Sequence, residues 1–184
     1  DIMKVLIATG LYPPDIGGPA TYSKKLAEEL PKQNVAVEVL SFGLVRKLPK
    51  AIRHLVYFFR VLKSGRKADV IFAQDPISVG LPSMLAAKIL HKKFVLKIVG
   101  DYAWEQGVQR FGVKELLDIF LLKKDYQWQV KLLRWAEKLV AEKADKIITP
   151  SEYLMTVVER WGVEKQKIKV INNEVDFAPA DPIK

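Results

Sequence analysis

The chain contains no cysteine. Disulfides, thiolate metal sites and cysteine nucleophiles are excluded together, and the composition fits a reducing compartment. Histidine is almost as scarce. His54 and His91 are too few for most histidine-based zinc centres. Each stands apart from the other and from other ligand types, which argues against a metal ligand or a general base. No apolar run approaches the roughly 18 residues of a membrane-crossing helix. The opening Met3-Lys4-Val5-Leu6-Ile7-Ala8 is too short an apolar run for a signal peptide and reads as a strand. There is no P-loop, no nucleophile elbow and no His-Glu-x-x-His. Internal repeats and low-complexity tracts are missing too. One local deficit matters most: no acidic residue stands between Glu38 and Asp69.

What is present is a chain of 184 residues, 49% hydrophobic and 28% charged, with a net charge of +9. That is enough apolar material for the core of one domain, or two small ones, and it excludes wholesale disorder. The acid-free gap holds Arg46, Lys47, Lys50, Arg53, Arg60, Lys63, Arg66 and Lys67, which nearly account for the excess. The same segment has helical spacing. Leu48, Ile52, Leu55, Val56, Phe59 and Leu62 share one face and are expected to turn inward. Lys50, Arg53 and Arg60 lie opposite, Tyr57 and Val61 fall outside the stripe, and Phe58 sits at its edge. A basic face with interleaved aromatics resembles a membrane-surface helix, with Lys50, Arg53, Tyr57, Phe58, Arg60 and Lys63 as its contact residues. The competing reading is a solvated helix face whose extra aromatics meet a loop of the same domain. Nucleic acid is disfavoured, because no recognition-module signature accompanies the charge.

Short apolar runs alternate with longer helical ones. Strands are expected at 4–8, 35–41, 70–73, 94–99, 146–149 and 168–171, and helices near 20–33, 48–64, 79–91, 114–143 and 151–161. Several strands are continuous β-branched runs, as in sheets covered on both faces. The alternation predicts an α/β fold: a doubly wound, Rossmann-like parallel sheet with helices on both faces. Pro76, Pro82 and Pro150 suit helix starts, and Gly162 suits a helix end. The Trp- and Leu-rich stretch 128–140 reads as helix packing rather than a cofactor box. Residues 1–172 are expected to form one domain. Residues 173–184, rich in proline and small side chains, read as a linker or a cut end.

Ligands of such sheets bind beyond the carboxyl ends of the strands. That rule selects the loops 9–19, 74–78, 100–113, 149–151 and 172–176. The first contains Gly17-Gly18 ahead of a helix. Exposed backbone N–H groups and the helix dipole there would suit a diphosphate or a sugar hydroxyl, though a plain tight turn explains the pair equally. The spacing is not that of a dinucleotide fingerprint. The loop after the fourth strand carries Gly100, Asp101, Tyr102, Trp104 and Glu105. The aromatics could stack on sugar faces and Asp101 could accept from a hydroxyl. The alternative is a capping aspartate with its aromatics packed into the core. Asp101 and Glu105 also suggest the carboxylate pair of glycoside hydrolysis, which depends on their separation across a cleft.

Taken together, five stretches in order resemble the N-terminal, acceptor-side domain of a retaining GT-B glycosyltransferase of the family-4 type. They are 4–8 with Tyr12-Pro13-Pro14 and Gly17-Gly18; Ala68-Asp69-Val70-Ile71; Lys97 to Glu105; Lys143 to Leu154; and Lys167 to Asp176. The resemblance implies a second domain that holds a nucleotide-sugar donor through a Glu-x7-Glu pair. No two glutamates in this chain have that spacing, so the donor is expected on a C-terminal domain or a separate chain. It implies that Gly17 and Gly18 lie beside the donor diphosphate and the acceptor, and that Asp101 faces the donor sugar as the catalytic carboxylate. Tyr102, Trp104, Glu105, Ser151, Glu152 and Asn173 would line the cleft. Glu174 stands where the family usually has glycine. The implied activity moves a sugar to a glycan or lipid-linked acceptor in cell-envelope polysaccharide or glycolipid synthesis. No metal or other cofactor is implied, no nucleic acid is expected, and the site of action is cytoplasmic, with the basic helix against the inner leaflet. The alternative is a non-catalytic module that docks on an anionic membrane or another polyanion.

Overall fold

The structure, a computed structural model, describes residues 2–172 apart from the side chains of Lys50 and Ala51. Six strands form one sheet: β1 (Met3–Thr9), β2 (Val35–Ser41), β3 (Val70–Ala73), β4 (Lys93–Lys97), β5 (Lys146–Thr149) and β6 (Ile168–Val170). Their order is β2-β1-β3-β4-β5-β6, and every neighbouring pair is parallel. The expected doubly wound architecture is therefore the observed one. Seven helices connect the strands: α1 (Gly18–Glu29), α2 (Lys50–Gly65), α3 (Gly80–Leu90), α4 (Tyr102–Arg110), α5 (Leu117–Leu122), α6 (Trp128–Lys143) and α7 (Glu152–Arg160). The step from β1 to β2 runs one way along the sheet, and every later step runs the other. Right-handed crossovers then place α1 on one face and the remaining connections on the opposite face.

The main core fits that division. Leu6, Ala8, Ile71, Ala73, Leu96, Ile98 and Ile147 point from one sheet face into Tyr57 and Val61 of α2, Ala86 and Ala87 of α3, Val140 and Ala141 of α6, and Val157 and Val158 of α7. A second, smaller core joins Ala103, Val113, Phe120 and Val130 beneath α4, α5 and α6. No helix among the described residues is long and apolar enough to cross a membrane.

Two expectations fail. The stretch 114–143 is not one helix, and 100–113 is not a loop: α4, α5 and α6 occupy this span. The break at 123–127 contains no proline or glycine. Arg134 of α6 holds it from across the gap, its guanidinium donating to the carbonyls of Lys123 (2.7 Å) and Leu121 (3.3 Å) at the end of α5. A tertiary contact thus satisfies the orphan carbonyls that a continuing helix would have used.

The second failure is the orientation of α2. The stripe expected inside is largely outside: Leu48, Ile52, Leu55 and Phe59 are exposed, while Tyr57 and Val61 are fully buried. This helix carries apolar residues on both sides, so periodicity alone does not choose between them. The choice follows from close approach and a polar anchor. A Cβ on Gly65 would stand 3.0 Å from both Ile71 and Leu90, so the face bearing Gly65 lies tight against β3 and α3. The Tyr57 hydroxyl donates to the carbonyl of Leu40 at 2.8 Å.

Candidate functional site

The carboxyl ends of β1, β3 and β4 are adjacent, and three segments meet there: residues 9–18, the turn 74–79, and the start of α4. The first contains Gly17, whose φ of 152° and 3.0 Å approach to Leu11 disfavour any side chain. Gly18 opens α1 with free space where a Cβ would stand. No side chain caps α1, so its leading N–H groups are available to an anion or a hydroxyl. The helix end is braced from below. Ser23 donates to the Pro19 carbonyl (2.6 Å), and Gln74 at the end of β3 donates to Ser23 (2.7 Å). Beside Gln74 on the same sheet face, the ammonium of Lys97 lies 3.0 Å from the centre of the Tyr22 ring. Burial of Lys97 lowers its pKa to about 8.

The expected sugar-facing carboxylate is placed differently. Asp101 is 1% exposed and is the N-cap of α4. One oxygen accepts from the Trp104 N–H (2.8 Å), and the other accepts from the Trp161 indole N–H (3.2 Å). Glu137 of α6 is equally buried beside it. The Glu137 Oε2 accepts from the N–H groups of Tyr102 (3.0 Å) and Ala103 (3.4 Å), and its side chain hydrogen-bonds Asp101. Burial, then the Asp101 charge, push the Glu137 carboxyl well above the ordinary range. Burial also raises Asp101, but the bonds from Trp104, Glu137 and Trp161 work against it. Of the two carboxyls, Glu137 is the one pushed further towards its protonated form. This pair fixes the start of α4, and neither oxygen of Asp101 is presented to a ligand. The capping alternative is the one the structure adopts.

The neighbours of Asp101 divide. Trp104 is turned into the smaller core and donates its indole N–H to the Glu115 carbonyl (2.9 Å), so its ring is not a free sugar platform. Tyr102 is half-buried, with its hydroxyl 3.4 Å from Ser78 Oγ of the neighbouring turn. Glu105 is exposed and folds over Gly100, where any Cβ would collide with its carboxylate. Although the residue as a whole is exposed, its carboxylate lies against Gly100, and this local desolvation, then the nearby Asp101, raises its pKa. One strand further on, Ser151 caps α7 by accepting from the Leu154 N–H (3.2 Å), and Glu152 is exposed in the first turn. Asn173 lies outside the described residues. Of the expected membrane contacts, Arg60 and Lys63 are exposed, Arg53 and Phe58 are half-buried, and the side chain of Lys50 lies outside the described set. Tyr57 is the clear correction, being fully buried under the sheet's edge strand carbonyl.

One residue between the two flanking segments was not singled out from the sequence. Asp75, at the end of β3, gathers the N–H groups of Ile77 (2.9 Å), Ser78 (2.5 Å) and Val79 (3.3 Å) on Oδ1. Its Oδ2 faces the first segment, 3.8 Å from where a Cβ on Gly10 would stand. Burial raises the carboxyl to about 6, outweighing the three N–H bonds. The turn is tight, since a Cβ on Gly80 would collide with the Asp75 carbonyl. His54 of α2 reaches the same turn and hydrogen-bonds the Ser78 backbone, and burial lowers its pKa. The readable signal was Asp75-Pro76 directly after a buried β-branched strand at the ligand end. Glu137 had no such signal, because a glutamate in a charged helix reads as surface.

The rim thus offers helix N–H groups at Gly18, a carboxylate oxygen at Asp75 and hydroxyls at Ser78 and Tyr102. That set suits a phosphate beside a polyhydroxylated ligand. A cavity of about 420 Å³ lies elsewhere, lined by residues such as Phe111, Lys123 and Tyr126, and includes none of these groups.

A family model described as Glycosyltransferase Family 4 matches residues 16–178. No curated protein matches the chain. Among solved structures, Anabaena Alr3699/HepE in complex with UDP and glucose is similar at a TM-score of 0.61 and 17% identity, over 95% of this chain and 45% of that one. The UDP-GlcNAc 2-epimerase of Methanocaldococcus jannaschii is similar at 0.62 and 16%, over 93% and 46%. An enzyme of Listeria monocytogenes described as a putative UDP-N-acetylglucosamine 2-epimerase is similar at 0.56 and 13%, over 91% and 44%. At such identities the likeness is one of fold. The chain spans less than half the length of these structures.

Proposed function

This chain belongs to glycosyltransferase family 4, and from that premise we propose that it is the acceptor-side domain of a glycosyltransferase. The enzyme would move a sugar from a nucleotide-sugar donor to a glycan or lipid-linked acceptor in the cytoplasm, as a step of cell-envelope polysaccharide or glycolipid synthesis. The observation that carries this reading is the match across residues 16–178. The rim supports it, because its groups are of the kinds that sugar transfer needs.

Transfer develops negative charge on the departing phosphate and positive charge at the anomeric carbon. The uncapped N-terminus of α1 at Gly18 supplies N–H donors on the phosphate side. Asp75 Oδ2, with Ser78 and Tyr102 beside it, accepts from acceptor hydroxyls and orients one for attack. Asp101 acts at one remove: with Glu137 it positions α4, and so Tyr102. The donor is held by a second domain or partner chain; HepE is described in complex with UDP and glucose, and the Methanocaldococcus jannaschii enzyme is named for UDP-GlcNAc. No metal is needed in this scheme.

The test is release of nucleoside diphosphate by the intact enzyme, with its donor-binding half, from a panel of nucleotide-sugars with lipid extract or oligosaccharide as acceptor. Acceptor-dependent release that survives EDTA is the expected result. Interconversion of the nucleotide-sugar without any acceptor would replace transfer with epimerisation, and inertness towards every donor would end the proposal.

A further inference from the structure

The two sides of the rim belong to different elements, and one buried side chain reaches both. Asp75 and Ser78 stand on the turn after β3, whereas the N–H groups at Gly18 open α1. That helix has little apolar packing to hold it in place. Its buried residues are Ala20 and Ser23, no side chain caps it, and among the described residues it contributes none of the buried members of the main core. Gln74 supplies what packing does not. It is 5% exposed and directly precedes Asp75. Its main-chain N–H donates to the carbonyl of Ala8, just before the segment 9–18 (3.1 Å). Its side-chain amide donates to Ser23 Oγ (2.7 Å), which in turn donates to the carbonyl of Pro19, just after that segment (2.6 Å). One residue thus holds both ends of the glycine-bearing loop, and its next neighbour is Asp75. We infer that Gln74, acting through Ser23, is a positioning residue that fixes the N-terminus of α1 at a set spacing from Asp75. Its purpose rests on the sugar-transfer reading, while its mechanics rest on these three hydrogen bonds alone.

The direction of the chain makes the residue type specific. A hydroxyl has one proton, and Ser23 gives it to Pro19, so the Ser23 oxygen is left to accept. Position 74 must therefore donate, as an amide does and an ionised carboxylate does not. A second contact reaches α1 from the strand ends, the Lys97 ammonium over the Tyr22 ring. It does not set a register, because a cation is attracted to a ring face anywhere within about 6 Å of its centre. A hydrogen bond weakens steeply off its line, so the Gln74–Ser23–Pro19 chain does set one. The spacing matters because the leaving phosphate and the attacking hydroxyl must be served together. A displacement of about 1 Å can cost about 100-fold in rate.

The double variant Ser23→Ala, Gln74→Met removes donor and acceptor together, so neither is left stranded and the fold is kept. Circular dichroism and the thermal midpoint verify this. In the intact enzyme kcat should fall roughly 10- to 100-fold. KM for donor and for acceptor should each stay within about twofold, because the groups remain and only their spacing is lost. Ser23→Ala and Gln74→Met alone should each lose nearly the whole factor, since the chain acts as a unit. Phe72→Leu is the structural control. It is buried on the same sheet face two residues earlier, and it should lower the thermal midpoint with kcat unchanged. Hydrogen–deuterium exchange reads the bracket without any reaction. Amides of 21–29 should exchange at least about tenfold faster in the double variant, while those of α3 keep the parental rate. Unchanged exchange in α1 would overturn the inference whatever the enzyme catalyses. Faster exchange with parental kcat would overturn it too, because the bracket would then serve the fold alone. Faster exchange in an enzyme whose parent transfers no sugar would support the bracket and end the transfer reading.

Discussion

β3 and β4 lie side by side, and each is followed by an aspartate whose side chain accepts backbone N–H from the turn after it, yet the two carboxylates are committed differently. Asp101 spends both oxygens inside the protein, on Trp104 and Trp161, and is hydrogen-bonded to Glu137. Asp75 spends one oxygen on three N–H groups and turns the other towards Gly10 of the first segment. Both carboxyls are raised by burial. A shifted pKa therefore does not separate a carboxylate with both oxygens bonded from one with an oxygen left over; the hydrogen-bond partners do.

The comparison breaks most visibly on the β4 side. Asp101→Ala removes a helix cap and leaves the Trp161 indole N–H and Glu137 without their buried partner. The expected loss is about 2–4 kcal/mol, read as a lowered urea midpoint. Glu137→Leu should cost a similar ~2–4 kcal/mol, since the N–H groups of Tyr102 and Ala103 lose their acceptor. Glu137→Gln behaves oppositely, because its amide both accepts and donates as the protonated acid does. The sign of its pH dependence follows from proton uptake. Glu137 is raised in the folded state, so the folded chain binds the proton more tightly than the unfolded chain. Its stabilising contribution is complete below the ordinary glutamate value of 4.5 and is lost as pH rises through the folded value. The Gln variant lacks that loss. Its stability relative to the parent should rise from pH 4 to pH 8, and a flat or falling difference would mean that Glu137 is ionised in the fold.

These two sites also show what the sequence made legible. The positions of the strands and their parallel arrangement were readable because β-branched runs alternate with helical ones. The Gly17-Gly18 turn was readable because glycine there answers a backbone requirement. The roles around Asp101 were not, because a cap and a ligand contact use the same residue type at the same place. Only the positions of Trp161 and Glu137, 60 and 36 residues away, decide between them. The division of 114–143 depended in the same way on Arg134 reaching back to α5. The inward face of α2 depended on Gly65 meeting Ile71 and Leu90. Each missed feature is a contact between different elements, which the periodicity of one element does not encode.

The smaller effects belong to the β3 side and concern activity more than stability. In Asp75→Asn, the amide oxygen can still gather the N–H groups of Ile77, Ser78 and Val79, so the thermal midpoint should barely move. The oxygen on the Gly10 side becomes an amide NH2, which donates where the proposed transfer needs an acceptor. Acceptor-dependent turnover by the intact enzyme should fall by roughly 10- to 100-fold, with donor affinity unchanged. The parent should also lose activity as pH falls through about 6, where Asp75 takes up its proton, and the Asn variant should lack that limb. Asp75→Ala separates the two functions of the residue. It should match the Asn variant in turnover while also losing about 1 kcal/mol of stability with its turn-capping oxygen. If Asn and Ala were equally unstable and equally active, Asp75 would be a second Asp101, and the rim would have no carboxylate on its β3 side to offer an acceptor hydroxyl.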